Sequence, residues 1–118
     1  MLAVTLVGAV LVFRGPAGEV GARSVRADTS VAIRTFQFRP STLTVRAGTR
    51  VTWSNTDEIE HTVTEGVPDS PSGGFDGVMK SRGTTFAFTF VLTGTYSYYC
   101  DRHPFMRGEI RVTSNGEN

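Results

Sequence analysis

The stretch Tyr96-Ser-Tyr98-Tyr-Cys100-Asp-Arg-His103-Pro-Phe-Met106 joins the pattern of a β-strand to a short loop rich in metal-binding side chains. Tyr96, Tyr98 and Cys100 alternate with other residues, which is typical of a strand with one buried face. His103 and Met106 then follow Cys100 at steps of three residues. The loop therefore offers a thiolate, an imidazole and a thioether within seven positions.

Few other side chains in the protein bind soft metals. Cys100 is the only cysteine, and His61 is the only histidine besides His103. Two imidazoles and one thiolate in a plane, with a weak axial methionine, form the ligand set of a blue-copper electron-transfer site. We therefore predict a single copper ion bound by His61, Cys100, His103 and Met106, on a loop that Pro104 stiffens.

Each of these residues has an ordinary interpretation when it is taken alone. A single cysteine is more often a small buried apolar residue, a single histidine near a strand end is often a surface residue, and Met106 could simply pack in a core. The combination of Cys-x-x-His-x-x-Met with an aromatic strand and a distant histidine favours copper over these alternatives.

The chain after residue 27 reads as short strands separated by turn residues. Apolar residues alternate in segment after segment, and none repeats them with helical spacing. Seven or eight such strands predict an all-β fold, either an antiparallel sandwich or a small barrel. The expected core is aromatic and consists of Phe36, Phe38, Trp53, Phe86, Phe88, Phe90, Tyr96 and Tyr98.

Three local features give more specific predictions. The alternation that begins at Val31 changes phase at Phe36, which predicts a bulge or a crossing between sheets. Residues 66–77 contain two prolines and four glycines and are predicted to form a loop. Tyr99 is out of phase with Tyr98 and is expected to face outward, either as a docking point or as an ordinary exposed tyrosine.

Acidic residues cluster beside the upstream histidine. Asp57, Glu58 and Glu60 all lie within four positions of His61. Such a cluster could steer a basic partner towards the site, although a short charged run is usually only a solvated turn. Both interpretations remain open from the sequence.

The N-terminal segment has the pattern of an export signal. Residues 2–13 form an apolar run that is too short to span a bilayer as a helix but suits a signal peptide. Small residues suitable for cleavage end at Ala27. We therefore predict that residues 1–27 are a signal peptide or an uncleaved anchor, and that residues 28–118 form a copper-binding domain in the periplasm or outside the cell.

Charge and cysteine content are consistent with this division. Removal of Arg14, Arg23, Arg26 and Glu19 with the signal leaves 9 basic and 10 acidic residues, so no surface for nucleic acid is expected. A single cysteine cannot form an internal disulfide bond. In an oxidising compartment, a metal ligand is a more stable role for it than a free thiol.

The chain resembles the cupredoxins, and among them the amicyanins and plastocyanins. The resemblance covers residues 31–113. It rests on the motifs Phe38-x-Pro40, Leu43-x-Val45-x-Ala47-Gly48, Val51-x-Trp53-x-Asn55, His61-Thr-Val63, Gly94-Thr-Tyr96-Ser-Tyr98-Tyr99-Cys100 and His103-Pro-Phe-Met106-Arg-Gly108. The two residues between His103 and Met106 match amicyanin and pseudoazurin, whereas plastocyanins have four there.

This resemblance implies a Greek-key β-sandwich with His61, Cys100 and His103 as equatorial copper ligands and Met106 as the axial ligand. It further implies a monomeric electron carrier rather than an enzyme. The expected partners are redox proteins, such as a c-type cytochrome, a dehydrogenase or an oxidase, which would dock transiently near His103, Pro104 and Phe105. Contact with a membrane is expected only if the N-terminal segment is retained.

The chain departs from these relatives next to the predicted ligands. Asp101 and Arg102 stand where amicyanin has an uncharged pair, and Glu60 stands where proline is usual. Thr62 occupies a position where many relatives have an asparagine that ties the two ligand-bearing segments together. These differences bear on the reduction potential and the partner.

Three other functions remain as alternatives. A copper storage or delivery protein would use similar ligands, but such proteins tend to be rich in methionine, and this chain has three. A hydrolase with a cysteine nucleophile and a histidine base is a second alternative, although no oxyanion-binding device is recognisable. A metal-free sandwich used for binding is the third.

Overall fold

The computed structural model describes residues 28–114, which form nine β-strands in two facing sheets. The strands are β1 (Asp28–Ile33), β2 (Phe38–Arg39), β3 (Thr42–Arg46), β4 (Thr49–Asn55), β5 (His61–Val67), β6 (Ser70–Met79), β7 (Thr85–Phe90), β8 (Gly94–Tyr99) and β9 (Arg107–Thr113). One sheet has the order β2-β1-β4-β7 and the other the order β3-β9-β8-β5-β6. The expected all-β sandwich is confirmed, while the predicted signal segment, residues 1–27, lies outside the described residues.

The two sheets are mixed, whereas the sequence pattern predicted antiparallel strands. β1 runs parallel to β4 and β3 runs parallel to β9, and the other pairs are antiparallel. The chain changes sheets after β2, β3, β4, β6 and β7, so strands that are distant in sequence become neighbours, and two such pairs run in the same direction. Within residues 28–114 there is no helix, and so none long and apolar enough to cross a membrane.

The change of phase near Phe36 comes from a tight turn between β1 and β2, and the predicted bulge or sheet crossing is wrong. Arg34 and Gln37 exchange backbone hydrogen bonds of 2.9 and 3.1 Å. Thr35 and Phe36 between them have φ values of 53° and 60°. Two central residues with positive φ are the mark of a type I′ hairpin turn, here formed without glycine.

Residues 66–77 belong to a β-hairpin, so the predicted loop is also wrong. β5 and β6 pair up to Val67 and Ser70, with a shift of register at Gly66. Gly66 has φ +118°, and a side chain there would overlap the backbone of the opposing strand. Gly77 lies in the paired part of β6, where a Cβ would overlap the ring of Phe86. The glycines therefore permit close packing rather than loop formation.

The core is aromatic, as predicted, and Trp53 lies at its centre. Trp53 is fully buried, and its ring lies 5.4–6.3 Å from the rings of Phe75, Phe86, Phe90 and Tyr98. Of the eight expected core aromatics, Phe38, Trp53, Phe90 and Tyr98 are buried, and Phe36, Phe86 and Tyr96 pack partly buried against them.

Phe88 is the exception, because it is 38% exposed. It lies on β7, the edge strand of its sheet, where its ring contacts the rim of the core through Phe75 and Phe90. Phe75 occupies the core instead, at 5% exposure. It was overlooked because it falls in the segment that was predicted to be a loop.

One end of the sandwich gathers the strand ends that carry the predicted ligands. Ile33 pairs with Asn55, and Tyr99 pairs with Arg107, so β1, β4 and β8 end there and β9 begins there. β5 starts at the same end with His61. We call this the loop end of the sandwich.

We expect Gly77→Ala to destabilise the protein by about 1–3 kcal/mol, because the added methyl group would overlap the Phe86 ring and force the two sheets apart. The free energy of unfolding from a urea titration measures this effect. Gly74→Ala is the matched control on the same strand, since its methyl group would meet only the side-chain end of Glu65. Equal losses in the two variants would contradict the packing argument.

Candidate metal centre

The structure brings three of the four predicted ligands together at the loop end. His61 and Cys100 are fully buried, and His103 is partly exposed. The Cys100 Sγ atom lies 3.7 Å from His61 Nδ1 and 3.6 Å from His103 Nδ1. One donor atom from each of the three residues lies within 4.8 Å of the other two.

These separations fit a trigonal metal site. Three donor atoms about 2.1 Å from a common centre and about 120° apart lie about 3.6 Å from one another. The two sulfur–nitrogen distances match this value. A thiolate with two imidazoles is also the equatorial donor set that suits copper in electron-transfer proteins, so the residues present fit the ion.

Met106 is placed by the backbone of the loop that carries the ligands. The Met106 amide donates to the His103 carbonyl (2.9 Å), the His103 amide donates to the Cys100 carbonyl (3.2 Å), and the Cys100 amide donates to the Met106 carbonyl (3.2 Å). The Met106 side chain is 2% exposed and packs in the core cluster. The three predicted ligands of this loop are therefore held by one closed set of hydrogen bonds.

Thr62 links the two segments that carry the buried ligands. Its amide donates to Cys100 Sγ at 3.3 Å, and its hydroxyl oxygen accepts a 2.7 Å hydrogen bond from the Asp101 amide. The same hydroxyl contacts Thr64 at 2.9 Å, and Thr64 donates to Asp76. The amide hydrogen bond fixes the position of the sulfur relative to the segment that carries His61. Thr62 thus ties the segments together at the position where relatives were expected to have asparagine.

Asp57 has a role at the site that the sequence pattern did not predict. Its carboxylate lies 2.9 Å from His61 Nε2 and also accepts hydrogen bonds from the amides of Thr35 (2.8 Å) and Phe36 (2.9 Å). Partial burial alone would raise the pKa of Asp57, but the two amide bonds and the contact with His61 outweigh it and lower the pKa. The group is therefore an anion at neutral pH.

The position of the Asp57 carboxylate fixes the tautomer of His61. An ionised carboxylate can only accept hydrogen bonds, so Nε2 of the ring carries the proton. Nδ1, which faces Cys100, then keeps its lone pair. The only sequence signal for this role was the spacing of four residues between Asp57 and His61, in a short charged run of the kind that usually forms a solvated turn.

Asn55 holds the segment that carries Asp57. Its buried side chain donates to the carbonyls of Ile59 (2.9 Å) and Met79 (3.2 Å) and accepts from the Asp57 amide (2.9 Å). A fully buried amide that is hydrogen-bonded in this way is costly to rearrange. These hydrogen bonds therefore hold the connection between β4 and β5 in one conformation.

His103 lies at the surface edge of the site beneath aromatic rings. The Phe36 ring meets His103 edge-on at 4.9 Å and His61 at 5.2 Å, and Phe105 stacks on Phe36 at 6.4 Å. Burial lowers the pKa of His103, and the neighbouring His61 and Arg102 lower it further. The ring is therefore neutral at pH 7, as a metal ligand must be.

Comparisons with known proteins agree with this geometry. A family model described as copper binding proteins of the plastocyanin/azurin family matches residues 25–113. Amicyanin-alpha of Methylorubrum extorquens is 33% identical over 84 residues, which are 71% of this chain and 71% of that protein. The amicyanin of Paracoccus versutus is 34% identical over 94 residues, which are 79% of this chain and 71% of that protein.

Solved structures give the same result. The Cu(I) form of an amicyanin mutant superposes with a TM-score of 0.66 at 31% identity, covering 76% of this chain and 86% of that chain. The family model spans nearly all the described residues. The sequence, the fold and the set of donor atoms all agree with the same family. The protein therefore belongs to the plastocyanin/azurin family of copper-binding proteins.

Proposed function

We propose that the protein is an electron carrier that binds one type 1 copper ion through His61, Cys100, His103 and Met106. The single observation that carries the proposal is the convergence of Cys100 Sγ with the two histidine Nδ1 atoms at 3.6 and 3.7 Å. When bound, the copper supplies the Cu(I)/Cu(II) couple. The protein passes single electrons between redox partners and is not itself an enzyme.

The rigidity of the site supports transfer of electrons rather than storage of the metal. Electron transfer is fast when the ligands hardly move between oxidation states. Hydrogen bonds within the Cys100–Met106 loop, from Thr62 to the thiolate and from His61 to Asp57 all limit such movement. A storage or delivery protein instead needs an open site that releases its ion, and two of the three converging donors here are buried.

The partly exposed imidazole of His103 provides the path for electrons. Pro104 and Phe105 extend from it into solvent, and Phe105 is 71% exposed. A small apolar patch around a ligand edge suits brief contact with a redox protein. We propose that a partner such as a c-type cytochrome, a dehydrogenase or an oxidase docks near His103, Pro104 and Phe105, on a monomer of this chain.

We also propose that the protein is exported. The support comes from the apolar run at residues 2–13 and from the small residues that end at Ala27. The single cysteine also agrees with export, because a thiol in an oxidising compartment is protected from oxidation when it binds a metal.

We expect the protein loaded with Cu(II) to be intensely blue, because the thiolate transfers charge to the metal, and Cys100→Ser to abolish the colour. Absorption spectra of the two proteins measure this. Ser97→Ala, an exposed change on the preceding strand, is the control and should stay blue. A colourless Cu(II) protein, or a colour that survives Cys100→Ser, would refute the proposed function.

We expect Asp57→Asn to weaken copper binding by about 10–100-fold and to raise the reduction potential. The amide would orient His61 less firmly, and the loss of a negative charge would favour the less positive Cu(I). Competition with a chelator and voltammetry measure the two effects. Nitrogen NMR of His61 in the copper-free protein should also show that the Nε2–H tautomer is less populated.

Glu58→Gln is the matched control, because it removes the same charge from the same connection. Its carboxylate contacts Arg82 and is 79% exposed. If the two variants change copper affinity and the His61 tautomer equally, Asp57 has no orienting role.

A further inference from the structure

The acidic cluster predicted beside His61 is not a free acidic surface. The Asp57 carboxylate is occupied by two amides and His61. Glu58 forms an ion pair with Arg82 at 2.6 Å, and Glu60 lies 3.8 Å from Arg102. The interpretation that this cluster steers a basic partner is therefore not favoured, because both glutamates are paired with arginines and the Asp57 carboxylate is used in contacts within the site.

Arginines dominate the other side of the loop end. Arg34, Arg39 and Arg107 are exposed, and none of them is within ion-pair distance of a carboxylate in residues 28–114. Arg39 and Arg107 line one groove, which also contacts Phe36 and Phe105. We call it the arginine groove. It runs directly beside the exposed aromatic patch that covers His103.

The guanidinium of Arg107 is already oriented within this groove. Its Nε donates to the Pro104 carbonyl at 3.0 Å, which leaves its other N–H groups free for an acceptor. A guanidinium whose side chain is already fixed loses less conformational entropy than a freely rotating one when it binds a carboxylate through two hydrogen bonds. The groove is therefore suited to a carboxylate rather than to a cation.

The Tyr99 side of the loop end is closed and acidic. Tyr99 is 4% exposed, so it is neither the docking point nor the exposed tyrosine that its phase predicted. Thr64 pairs with Tyr99 on one side and with Asp76 on the other, and the exposed Asp101 follows Cys100 in the loop. Negative charge thus gathers on this side, away from the arginine groove.

We propose that the redox partner presents an acidic rim around an apolar point of electron transfer, and that one of its carboxylates enters the arginine groove between Arg39 and Arg107. The inference rests on the proposed function and specifies its partner. The carboxylates on the Tyr99 side repel the same rim, so the partner is oriented with its redox centre over His103. Charge complementarity of this kind raises association rates and fixes orientation.

The first test uses small oxidants of opposite charge on the reduced copper protein, with one electron passing to each oxidant ion. Stopped-flow rates are measured with hexacyanoferrate(III) and with tris(phenanthroline)cobalt(III). The double variant R39Q/R107Q should slow the reaction with the anion at least about threefold and should not slow the reaction with the cation. Added salt should slow the anion reaction of the parent protein and abolish the difference from the variant.

The matched control is R46Q/R50Q, which removes the same charge from exposed arginines at the opposite end of the sandwich. Arg46 pairs with Thr113 and Arg50 pairs with Asp28, both far from the loop end. This variant should leave both rates within about a factor of 1.5 of the parent. Equal slowing of the anion reaction by the two double variants would overturn the proposal.

The second test uses whole proteins. Amide NMR shifts of the Cu(I) protein are followed during titration with an acidic b-type cytochrome and with a basic c-type cytochrome. The proposal requires tighter binding of the acidic protein, shifts centred on Phe105, Arg39 and Arg107, and weaker binding by R39Q/R107Q. Tighter binding of the basic cytochrome, or shifts centred on Tyr99, would overturn it.

Failure of this inference is distinguishable from failure of the proposed function. A protein that turns blue and exchanges electrons with both small oxidants, but shows no preference by charge, retains the function and loses the acidic-partner proposal. A protein that forms no blue copper site loses the function itself.

Discussion

The carboxylate of Asp57 is the contact on which the geometry of the loop end depends. It accepts hydrogen bonds from two amides of the β1–β2 turn and contacts the outer nitrogen of His61, so a single group joins three segments. Non-glycine residues with positive φ cost about 1–3 kcal/mol each. Without the carboxylate, the turn that holds Phe36 over both imidazoles would lose the contact that offsets this cost.

This contact also explains how an exposed ligand edge can coexist with a rigid site. His61 is fixed through its own ring nitrogen, while His103 is fixed by the backbone of its loop and by the ring of Phe36. Both imidazoles therefore keep their orientation by different means. The surface edge can meet a partner without loosening the buried half of the site.

Much of this arrangement follows from the sequence, and the exceptions have physical causes. The metal ligands were predictable because the chain has only one cysteine and two histidines. The β-sandwich was predictable because apolar residues alternate along most segments of the chain. Alternation shows which face of a strand is buried but not its direction, so the parallel pairs β1–β4 and β3–β9 were missed. Glycine is frequent in loops and is also required where two strands or sheets pack closely. Its presence in residues 66–77 therefore could not distinguish a loop from the hairpin that the structure contains. The role of Asp57 depends on distances between segments, and no local pattern reports these.

The two glycines under aromatic rings constrain how this sequence can change. Gly77 leaves room for the ring of Phe86, and Gly108 leaves room for the ring of Tyr98. In each case the missing side chain and the large ring together fill one fixed volume. Each pair should therefore covary among related chains: a larger residue at either glycine position is compatible with the fold only where the ring opposite has become smaller.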